Sequence, residues 1–420
     1  MPNFILTLFT SFLLASSCAW LIFVGMAHLT GADVGILPGR DSSIPPSRLF
    51  DLTRSTVTAA GLLAGVFAIV YAYRKQKIDE AGSHRADADS LGTRYQEAAE
   101  KLGSESATVR LAGIYALSAL ADQDSAQRET ICRLLCGYLR MPYAPGESSP
   151  GEREVRHSVI KVIAEHLQDP ESDFSWCGYD LDFSGAVFDG GSFAGSHFVN
   201  CSVSFSGCSF AGGKTVFDRS TIADAHVDFG DGESVPAVID GGLVHFIGVR
   251  FKAGSSVSFI FAEFRSGSVE FGTSEFLPGS IMSFSACELH DAFVSFGGPT
   301  WQGAKFLGGG VHFSGAKFEA GALSFMGAKF AGSHIGLDDI EQVATSIIFD
   351  DAEFISGRVT FKDSKLSGRG ASFSGESDPG GVVSPWPLPV SSPRRRRARR
   401  RYGWRSRPST ARDAGSAAQD

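Results

Sequence analysis

The spacing of its phenylalanines constrains this chain more than any other feature of the sequence. Of 34 Phe residues, 28 lie between Phe174 and Phe373. At the start of that stretch they recur every five residues, and further along they form pairs five apart. In the last part, the first members of the pairs step by twelve from Phe313 to Phe373. Repetition at a short fixed period is typical of stacked identical units and not of a single closed core.

The residue two positions before most of these Phe residues is Ala, Val, Leu or Ile. Alternate residues of an extended chain point to the same face, so each unit directs one small or branched side chain and one Phe inward. Gly and Ser at the remaining positions predict corners at which only small side chains tolerate the bend. The inward rings are predicted to be Phe183, Phe188, Phe193, Phe198, Phe259, Phe264, Phe271, Phe276, Phe313, Phe318, Phe325, Phe330, Phe349, Phe354 and Phe361.

The Ala-x-Phe-x-Gly pattern, as in the runs that end at Phe188 and Phe318, resembles the pentapeptide-repeat family over residues 174–375. The resemblance implies a mainly β fold, a right-handed quadrilateral β-helix with four five-residue faces per coil. Two extra residues after each pair expand a coil here to about 24 residues, which predicts eight or nine coils and a rod roughly 40 Å long. The order of membrane segments, helical stretch and repeats is similar to that of uncharacterised membrane-anchored actinobacterial members.

Two segments interrupt the period and are candidate partner surfaces, because insertions on repeat scaffolds map to one face. Residues 219–244 are rich in Asp and Gly and predict a solvated loop, although a Ca²⁺-binding loop is also conceivable. Residues 335–348 keep the twelve-residue step through Leu337 and then predict a short polar excursion.

Two uncharged stretches near the start predict two transmembrane helices, at residues 4–27 and 55–73, joined by an extracytoplasmic loop at 28–54. A cleaved signal peptide is the competing interpretation of the first stretch, but no Lys or Arg precedes its apolar run. Slightly more basic residues follow the second span than occupy the loop, which favours a solenoid that faces the cytoplasm. The sequence therefore predicts a multi-pass cell-membrane protein in contact with the lipid bilayer.

A polar linker at residues 74–93 is predicted to lead into an α-helical adaptor at 94–170, where apolar residues recur at threes and fours. Cys132 and Cys136 share a helix face and could ligate a metal, but core packing is the favoured interpretation. No nucleophile elbow, phosphate loop or dinucleotide fingerprint is present in the sequence. We therefore expect no catalytic residue, cofactor or metal, and no enzyme activity.

The charge of the repeat region bears on the remaining hypotheses of function. Residues 174–375 carry 22 Asp and Glu against 12 Lys and Arg, a net charge of −10. The resemblance implies a DNA mimic that acts on DNA gyrase as one alternative. Lys305, Lys317 and Lys329 recur every twelve residues, and a lysine ladder on one face disfavours mimicry. The favoured hypothesis is a non-enzymatic scaffold that offers the solenoid to an unknown cytoplasmic protein, with homo-oligomerisation left open.

The last segment, residues 376–420, has the opposite charge and predicts a disordered tail with ten Arg and four acidic residues. Attraction to nucleic acid or to anionic lipid is one interpretation, and a tail without a selected role is the other. The residues that would supply the attraction are Arg394, Arg395, Arg396, Arg397, Arg399, Arg400 and Arg401.

Overall fold

A computed structural model describes residues 2–29, 46–146, 150–230, 232–233, 235–298, 302–367 and 370–375. The Arg-rich segment 376–420 and most of the predicted loop, residues 30–45, therefore lie outside the described residues. The chain divides after Glu100 into two compact units, which are considered separately.

The first unit consists of two helices, α1 (Pro2–Leu29) and α2 (Pro46–Leu102), the second of which ends just inside the second unit. Within the described residues, one helical stretch is long and apolar enough to cross a bilayer, Phe50–Ile78 in α2. The apolar stretch Ser16–Leu29 of α1 is shorter. The structure thus supports one candidate span and not the two predicted.

The boundaries inside α2 also differ from the expectation. Residues 46–54, placed in the predicted loop, form its first turns, and Pro46 suits the first position of a helix because its missing N–H has no partner there. Residues 74–93, expected as a linker, continue the same helix. Half of these twenty residues are Ala, Lys, Arg, Glu, Gln or Leu, which have high helix propensity, so a polar segment need not be irregular.

The second unit begins with three helices, α3 (Ala107–Gln123), α4 (Ser125–Leu139) and α5 (Glu152–His166). Their apolar stripes meet one another at Ile114, Ile131 and Val159, which are fully buried. Cys132 and Cys136 lie in the same core, and a hydrogen bond with Cys136 together with burial raises the pKa of Cys132. The amphipathic pattern of the sequence accounts for this small helical layer.

The three helices cover the first turn of the solenoid. The Ile160 side chain lies over Gly191, where a Cβ would come within 2.7 Å of it. The fully buried Trp176 ring stacks on His166 with ring centroids 4.2 Å apart. The His197 amide donates to the Leu167 carbonyl at 2.7 Å. The helical layer therefore closes the hydrophobic interior at its amino-terminal end, and we call it the helical cap.

A buried carboxylate, Asp189, joins the helical cap to the first turn. Its oxygens accept hydrogen bonds from the Tyr143 hydroxyl at 2.7 Å and from Arg153 Nε at 3.0 Å. One of them also lies 3.0 Å from His157 Nε2. Burial alone would raise the pKa of Asp189, but hydrogen bonds from Tyr143 and His157 and the charges nearby outweigh it and lower this pKa. Burial, together with the hydrogen bond to Asp189 and its charge, raises the pKa of Tyr143 to about 12.

The rest of the described chain is a solenoid of short strands, all paired in parallel within the sheets, with four strands in each regular turn. Face 1 consists of Leu181–Asp182, Ser202–Ser204, His226–Asp228, Ser256–Ser258, Ile281–Ser283, Gly310–His312, Ser333–Gly336 and Gly357–Thr360. Face 2 consists of Val187–Phe188, Ser209–Ala211, Val238–Asp240, Lys317–Phe318, Glu341–Gln342 and Lys365–Leu366. Face 3 consists of Gly191–Ser192, Lys214–Val216, Leu243–His245, Gly321–Ser324, Ser346–Ile348 and Ala371–Ser372. Face 4 consists of His197–Val199, Thr221–Ala223, Arg250–Phe251, Glu275–Phe276, Lys305–Phe306, Lys329–Phe330 and Glu353–Phe354.

Two longer strands, Glu263–Glu270 and Glu288–Ser295, run across the corner between faces 2 and 3 and join these faces into one sheet of 14 strands. The mainly β solenoid behind a helical region is thus confirmed. In-register residues of face 1 lie 22, 24, 30, 25, 29, 24 and 24 apart, from Leu181 to Val359. These are seven full turns, fewer than the eight or nine predicted, and span about 34 Å at 4.8 Å per turn.

The two long turns show where residues are inserted. The insertions lie between the strands that end at Asp228 and begin at Val238, and between those that end at Ser295 and begin at Lys305. The first insertion, between Asp228 and Val238, therefore lies within the loop predicted at 219–244, although short strands on either side of it belong to the same predicted segment. The excursion predicted at 335–348 was wrong, since its strands keep the 24-residue step, and the second insertion was missed.

The interior is filled by columns of rings. On the inner side of faces 3 and 4, Phe193, Phe217, Phe246, Phe271, Phe296, Phe325, Phe349 and Phe373 stack with successive centroids 4.7 to 5.2 Å apart. This spacing follows from the separation of neighbouring strands, which is also suitable for offset ring stacking. Of the fifteen Phe residues assigned inward from the sequence, fourteen are buried and Phe354 is half-buried.

The corners accept more kinds of residue than the sequence analysis expected. Among the described residues, positive φ angles occur at glycines such as Gly315, but also at nine residues other than glycine, including Arg219 (59°) and Phe261 (61°). A single left-handed residue costs only about 1–2 kcal/mol, and at a corner its side chain extends away from the packed interior. Conformational strain alone therefore does not restrict these corners to small residues.

Candidate interaction faces of the solenoid

Strand register divides the outward side chains of the solenoid by face. In the three-residue strands the central residue points inward and is more buried than at least one of its neighbours, as Val203 is in Ser202–Ser204. Parallel pairing then stacks equivalent outward residues into columns that run along the rod. The columns of opposite faces have contrasting chemistry, which is the basis for choosing a candidate site.

Faces 2 and 4, which are opposite each other, carry charged ladders. On face 2, Lys317 Nζ lies 2.9 Å from Glu288. On face 4, Lys305 lies 3.1 Å from Glu275, and Lys329 lies 3.2 Å from Glu353. The hydrogen bond between Lys317 and Glu288 lowers the pKa of Glu288 and raises that of Lys317. Exposed pairs of this kind contribute little to stability, but each lysine offsets the charge of its glutamate.

The lysines do not form the single ladder expected from their twelve-residue spacing. Lys305 and Lys329 are register partners in neighbouring strands of face 4, whereas Lys317 lies on face 2. Because a regular turn contains 24 residues, a step of twelve moves the chain half a turn to the opposite face. The expected stripe of Lys305, Lys317 and Lys329 therefore does not exist, so it cannot count against DNA mimicry. The pairing of these lysines with glutamates still interrupts the acidic character of both faces.

Faces 1 and 3 are almost uncharged along most of their length. On face 1, the outward strand positions from Ser256 to Gly336 include no Asp, Glu, Lys or Arg. On face 3, one outward column contains in order Lys214, Leu243, Ser268, Phe293, Ala322 and Ser346, and we call the five residues after Lys214 the neutral stripe. Its Leu243 and Phe293 are 41% and 49% exposed, two turns or about 10 Å apart.

Part of the acidity of the solenoid has a structural use at the corners. The Asp338 carboxylate accepts from the Lys362 amide at 2.8 Å, and Asp350 accepts from the Ser374 amide at 3.0 Å, one turn further along in each case. Asp339, Asp351 and Asp363 have positive φ angles, which Asp tolerates better than most residues. The net charge of −10 therefore does not by itself indicate a surface selected to resemble nucleic acid.

Two histidines on face 1 touch across neighbouring turns. The His312 and His334 ring centroids lie 5.5 Å apart, and His312 packs against the backbone of Gly310 and Gly336, where a Cβ would come within 3.0 and 3.1 Å of its ring. Burial and the charge of His334 lower the pKa of His312, while Asp338 opposes the shift. Within the described residues, no group of three or more His, Cys, Asp or Glu is arranged to hold a metal ion.

Acidification is expected to destabilise the solenoid through His312. Because its pKa is depressed in the folded state, its contribution is fully present above the unfolded-state value of about 6.5 and is lost as the pH falls from that value through the lower pKa of the folded state. The midpoint of thermal unfolding should therefore fall between about pH 7.5 and pH 5.5, and His312→Gln should reduce the fall. His226→Gln, on the same face at an exposed position, is the control and should leave the fall unchanged. Equal pH profiles for wild type and His312→Gln would contradict the assignment.

Comparison with known proteins adds little to this description. Neither a protein-family model nor a curated protein matches the chain. One solved structure that aligns with it is the trypsin-treated form of QnrB1, a plasmid-mediated fluoroquinolone resistance protein. The two are 17% identical over 46% of this chain and 84% of that one, with a TM-score of 0.14. A similarity at this TM-score supports no conclusion about the present chain.

The neutral stripe is not visible in the sequence. Leu243, Phe293 and Ala322 occur in stretches of different composition, and they align only when the insertions between turns are known. The faces could have been assigned from the sequence if two twelve-residue steps had been counted as one 24-residue turn. The Arg residues of the tail, Arg394 to Arg401, lie outside the described residues, so their attraction to nucleic acid or lipid stays a prediction.

Proposed function

We propose that this chain is a membrane-anchored, non-enzymatic pentapeptide-repeat protein whose solenoid binds a cytoplasmic protein partner through face 3. The observation that carries the proposal is the contrast between faces. Faces 2 and 4 pair their lysines with glutamates, whereas the neutral stripe exposes Leu243 and Phe293 among small side chains. Apolar and aromatic residues surrounded by uncharged ones are enriched at the centres of protein interfaces.

Anchoring is proposed from α2, whose stretch Phe50–Ile78 has apolar side chains that are almost entirely exposed, such as Leu62 and Phe67. A bilayer would cover this surface, and α1 supplies the second span in the two-span arrangement that the sequence favours. Arg74, Lys75 and Lys77, at the carboxyl-terminal end of this stretch, support a cytoplasmic solenoid. The chain should remain with membranes after alkaline carbonate extraction, and a protease added outside intact spheroplasts should spare the solenoid. Release by carbonate or cleavage from outside would reject anchoring or orientation respectively.

The interaction is tested by site-specific photo-crosslinking of the full-length chain in its native membrane. A photo-reactive residue in place of Phe293 should link to a discrete protein of defined mass, and Leu243→Glu introduced in the same chain should abolish the link. A photo-reactive residue in place of Lys305, on face 4, is the matched control and should give no such product. Equal products from both positions, or none from Phe293, would reject face 3 as the docking surface.

The second candidate function is a DNA mimic directed at DNA gyrase. It is favoured by the acidity of the solenoid, which has 22 acidic and 12 basic residues. The ion-paired ladders and the backbone-bound aspartates weigh against it. Full-length protein in detergent, in molar excess over gyrase, should therefore leave DNA supercoiling unaffected. Inhibition that disappears in Glu263→Gln or Glu341→Gln variants would establish mimicry instead.

A contribution of the tail is the third candidate. Deletion of residues 391–420 should weaken retention on anionic vesicles or nucleic acid, and the difference should shrink with added salt if the arginines act by charge. Retention that is independent of the tail and of salt would assign no binding role to Arg394–Arg401.

A further inference from the structure

The histidines of the second unit differ in what their rings contact. Four of them lie within 4 Å of a carboxylate oxygen, namely His157, His166, His245 and His290. The rings of His312 and His334 on face 1 instead contact each other across neighbouring turns, with centroids 5.5 Å apart. His334 is exposed and His312 is half-buried, so solvent reaches the pair. These two imidazoles are therefore a candidate set of ligands.

Strand register places a glycine beside each of the two rings. Gly310 is the register partner of His334, and Gly336 is the register partner of His312. A Cβ added at Gly310 would lie 3.0 Å from His312 Nε2, and one added at Gly336 would lie 3.1 Å from His312 Nδ1 and 3.7 Å from His334 Nε2. One nitrogen of each ring therefore borders the space above Gly336, and the space is open because this residue has no side chain.

The distance between the rings suits two ligands of one metal ion. A Zn²⁺ ion lies about 2.0–2.1 Å from a histidine nitrogen and is usually bound tetrahedrally. Since a ring nitrogen lies about 1.2 Å from the centroid of its ring, two imidazoles on one tetrahedral ion have centroids about 5.3 Å apart. The observed 5.5 Å between His312 and His334 is close to this value. A small rotation of the exposed His334 ring is enough to complete the geometry.

The surroundings of His312 favour its neutral form, which is the form that binds a metal ion. Burial and the charge of His334 lower the pKa of His312, so a proton competes less strongly for its nitrogen. Asp338 adds negative charge near His312, whereas Arg358, the register partner of His334 in the next turn, adds positive charge. These two charges oppose each other, and the affinity for a cation therefore depends on the imidazoles themselves.

We propose that His312 Nδ1 and His334 Nε2 bind one divalent late transition-metal ion, such as Zn²⁺, above Gly336, with water at the remaining coordination positions. Imidazole nitrogen suits ions of this class, whereas Mg²⁺ and Ca²⁺ prefer oxygen ligands. The two histidines are 22 residues apart in the sequence and meet only when their turns are paired. Because the ion binds the folded register and not the unfolded chain, it stabilises the solenoid between these turns.

Calorimetric titration of the full-length chain in detergent with Zn²⁺, at pH 7.5, tests this proposal. The wild type should bind one equivalent that His312→Gln and His334→Gln each weaken more than about 100-fold, because loss of even an outer-shell partner costs 10–100-fold in affinity. His226→Gln is the matched control, since this exposed histidine of face 1 has serines as register partners. It should bind like the wild type. Equal Zn²⁺ binding by the wild type and His334→Gln would overturn the proposal.

Gly336→Ala tests the location of the ion without removing either histidine. Its added methyl group occupies the space that the two nitrogens border, so Zn²⁺ binding should weaken at least about tenfold. Gly298→Ala is the control, because a Cβ there meets only Ser295 Oγ, at 4.0 Å. Circular dichroism of the metal-free variants checks that the strands are intact. Full Zn²⁺ affinity in a folded Gly336→Ala variant would overturn the assignment of the site.

Discussion

Phe325→Asp is expected to unfold the middle of the solenoid, at a cost of more than about 5 kcal/mol in the free energy of unfolding. Phe325 is fully buried and its ring stacks between those of Phe296, at 4.9 Å, and Phe349, at 4.8 Å. The substitution removes both stacking contacts and places a carboxylate among aromatic rings. No cationic side chain belongs to the column, so the charge would have no partner.

The loss should be local at first, because each turn of a solenoid contacts only its neighbours. Hydrogen exchange and limited proteolysis should show the turns around residues 296–349 opening, while the turns under the helical cap stay protected for longer. Far-ultraviolet circular dichroism would record the loss of strand signal. These measurements separate local opening from collapse of the whole fold.

Phe293→Asp is the matched control, since it makes the same chemical change 32 residues earlier on the outside of face 3. Phe293 is 49% exposed, and its replacement should change the free energy of unfolding by no more than about 1 kcal/mol. Phe325→Leu, which keeps an apolar side chain, should cost about 1–2 kcal/mol. If Phe325→Asp and Phe293→Asp had similar effects, the inward assignment of Phe325 would be refuted.

The sequence predicted the inward residues of the solenoid better than the length and number of its turns. Phe313, Phe318, Phe325 and Phe330 are spaced by local chain geometry, in which five residues span one side and its corner. Turn length depends instead on insertions between strands, such as those before Val238 and Lys305. These contain no inward pattern, so spacing within regular repeats could not reveal them. The error in the number of turns has this origin.

The outward faces were harder to predict for a related reason. Lys305 and Lys317 are twelve residues apart and look equivalent in the sequence, but they lie on opposite faces because they are half a turn apart. The helical cap was recognised as amphipathic helices, but its position was not. Its contacts with the first turn, such as Ile160 over Gly191 and His157 with Asp189, join residues about 30 positions apart that share no common motif.

Buried Gln342 marks another limit of pattern analysis. It occupies the inward column of face 2 where the turn before has Phe318, and it is 1% exposed. Its Nε2 donates to the carbonyls of Thr345 and Gly370, so it satisfies backbone groups at a corner that a ring would leave unpaired. An inward polar residue is understandable here only after the hydrogen bonds of the corner are known.

Gly321→Ala is expected to reduce the free energy of unfolding by more than about 3 kcal/mol, the largest effect of a single added methyl group that we predict. Gly321 has a φ of +89°, and a Cβ at this position would lie 1.9 Å from the backbone oxygen of Ala292. These two residues are register partners in neighbouring turns, so the methyl group and the strand pairing cannot coexist. The turns would have to separate at the corner between faces 2 and 3.

Gly315→Ala separates this clash from the cost of the backbone conformation. Gly315 also has a positive φ, +72°, but a Cβ there meets nothing within 4 Å. Its substitution should cost only about 1 kcal/mol, the ordinary penalty of a left-handed residue. Chemical denaturation of both variants measures the difference directly. Equal losses would mean that the turn at Ala292 can move away from Gly321 at little cost, and the solenoid would then be held by its rings and not by close contact between successive backbones.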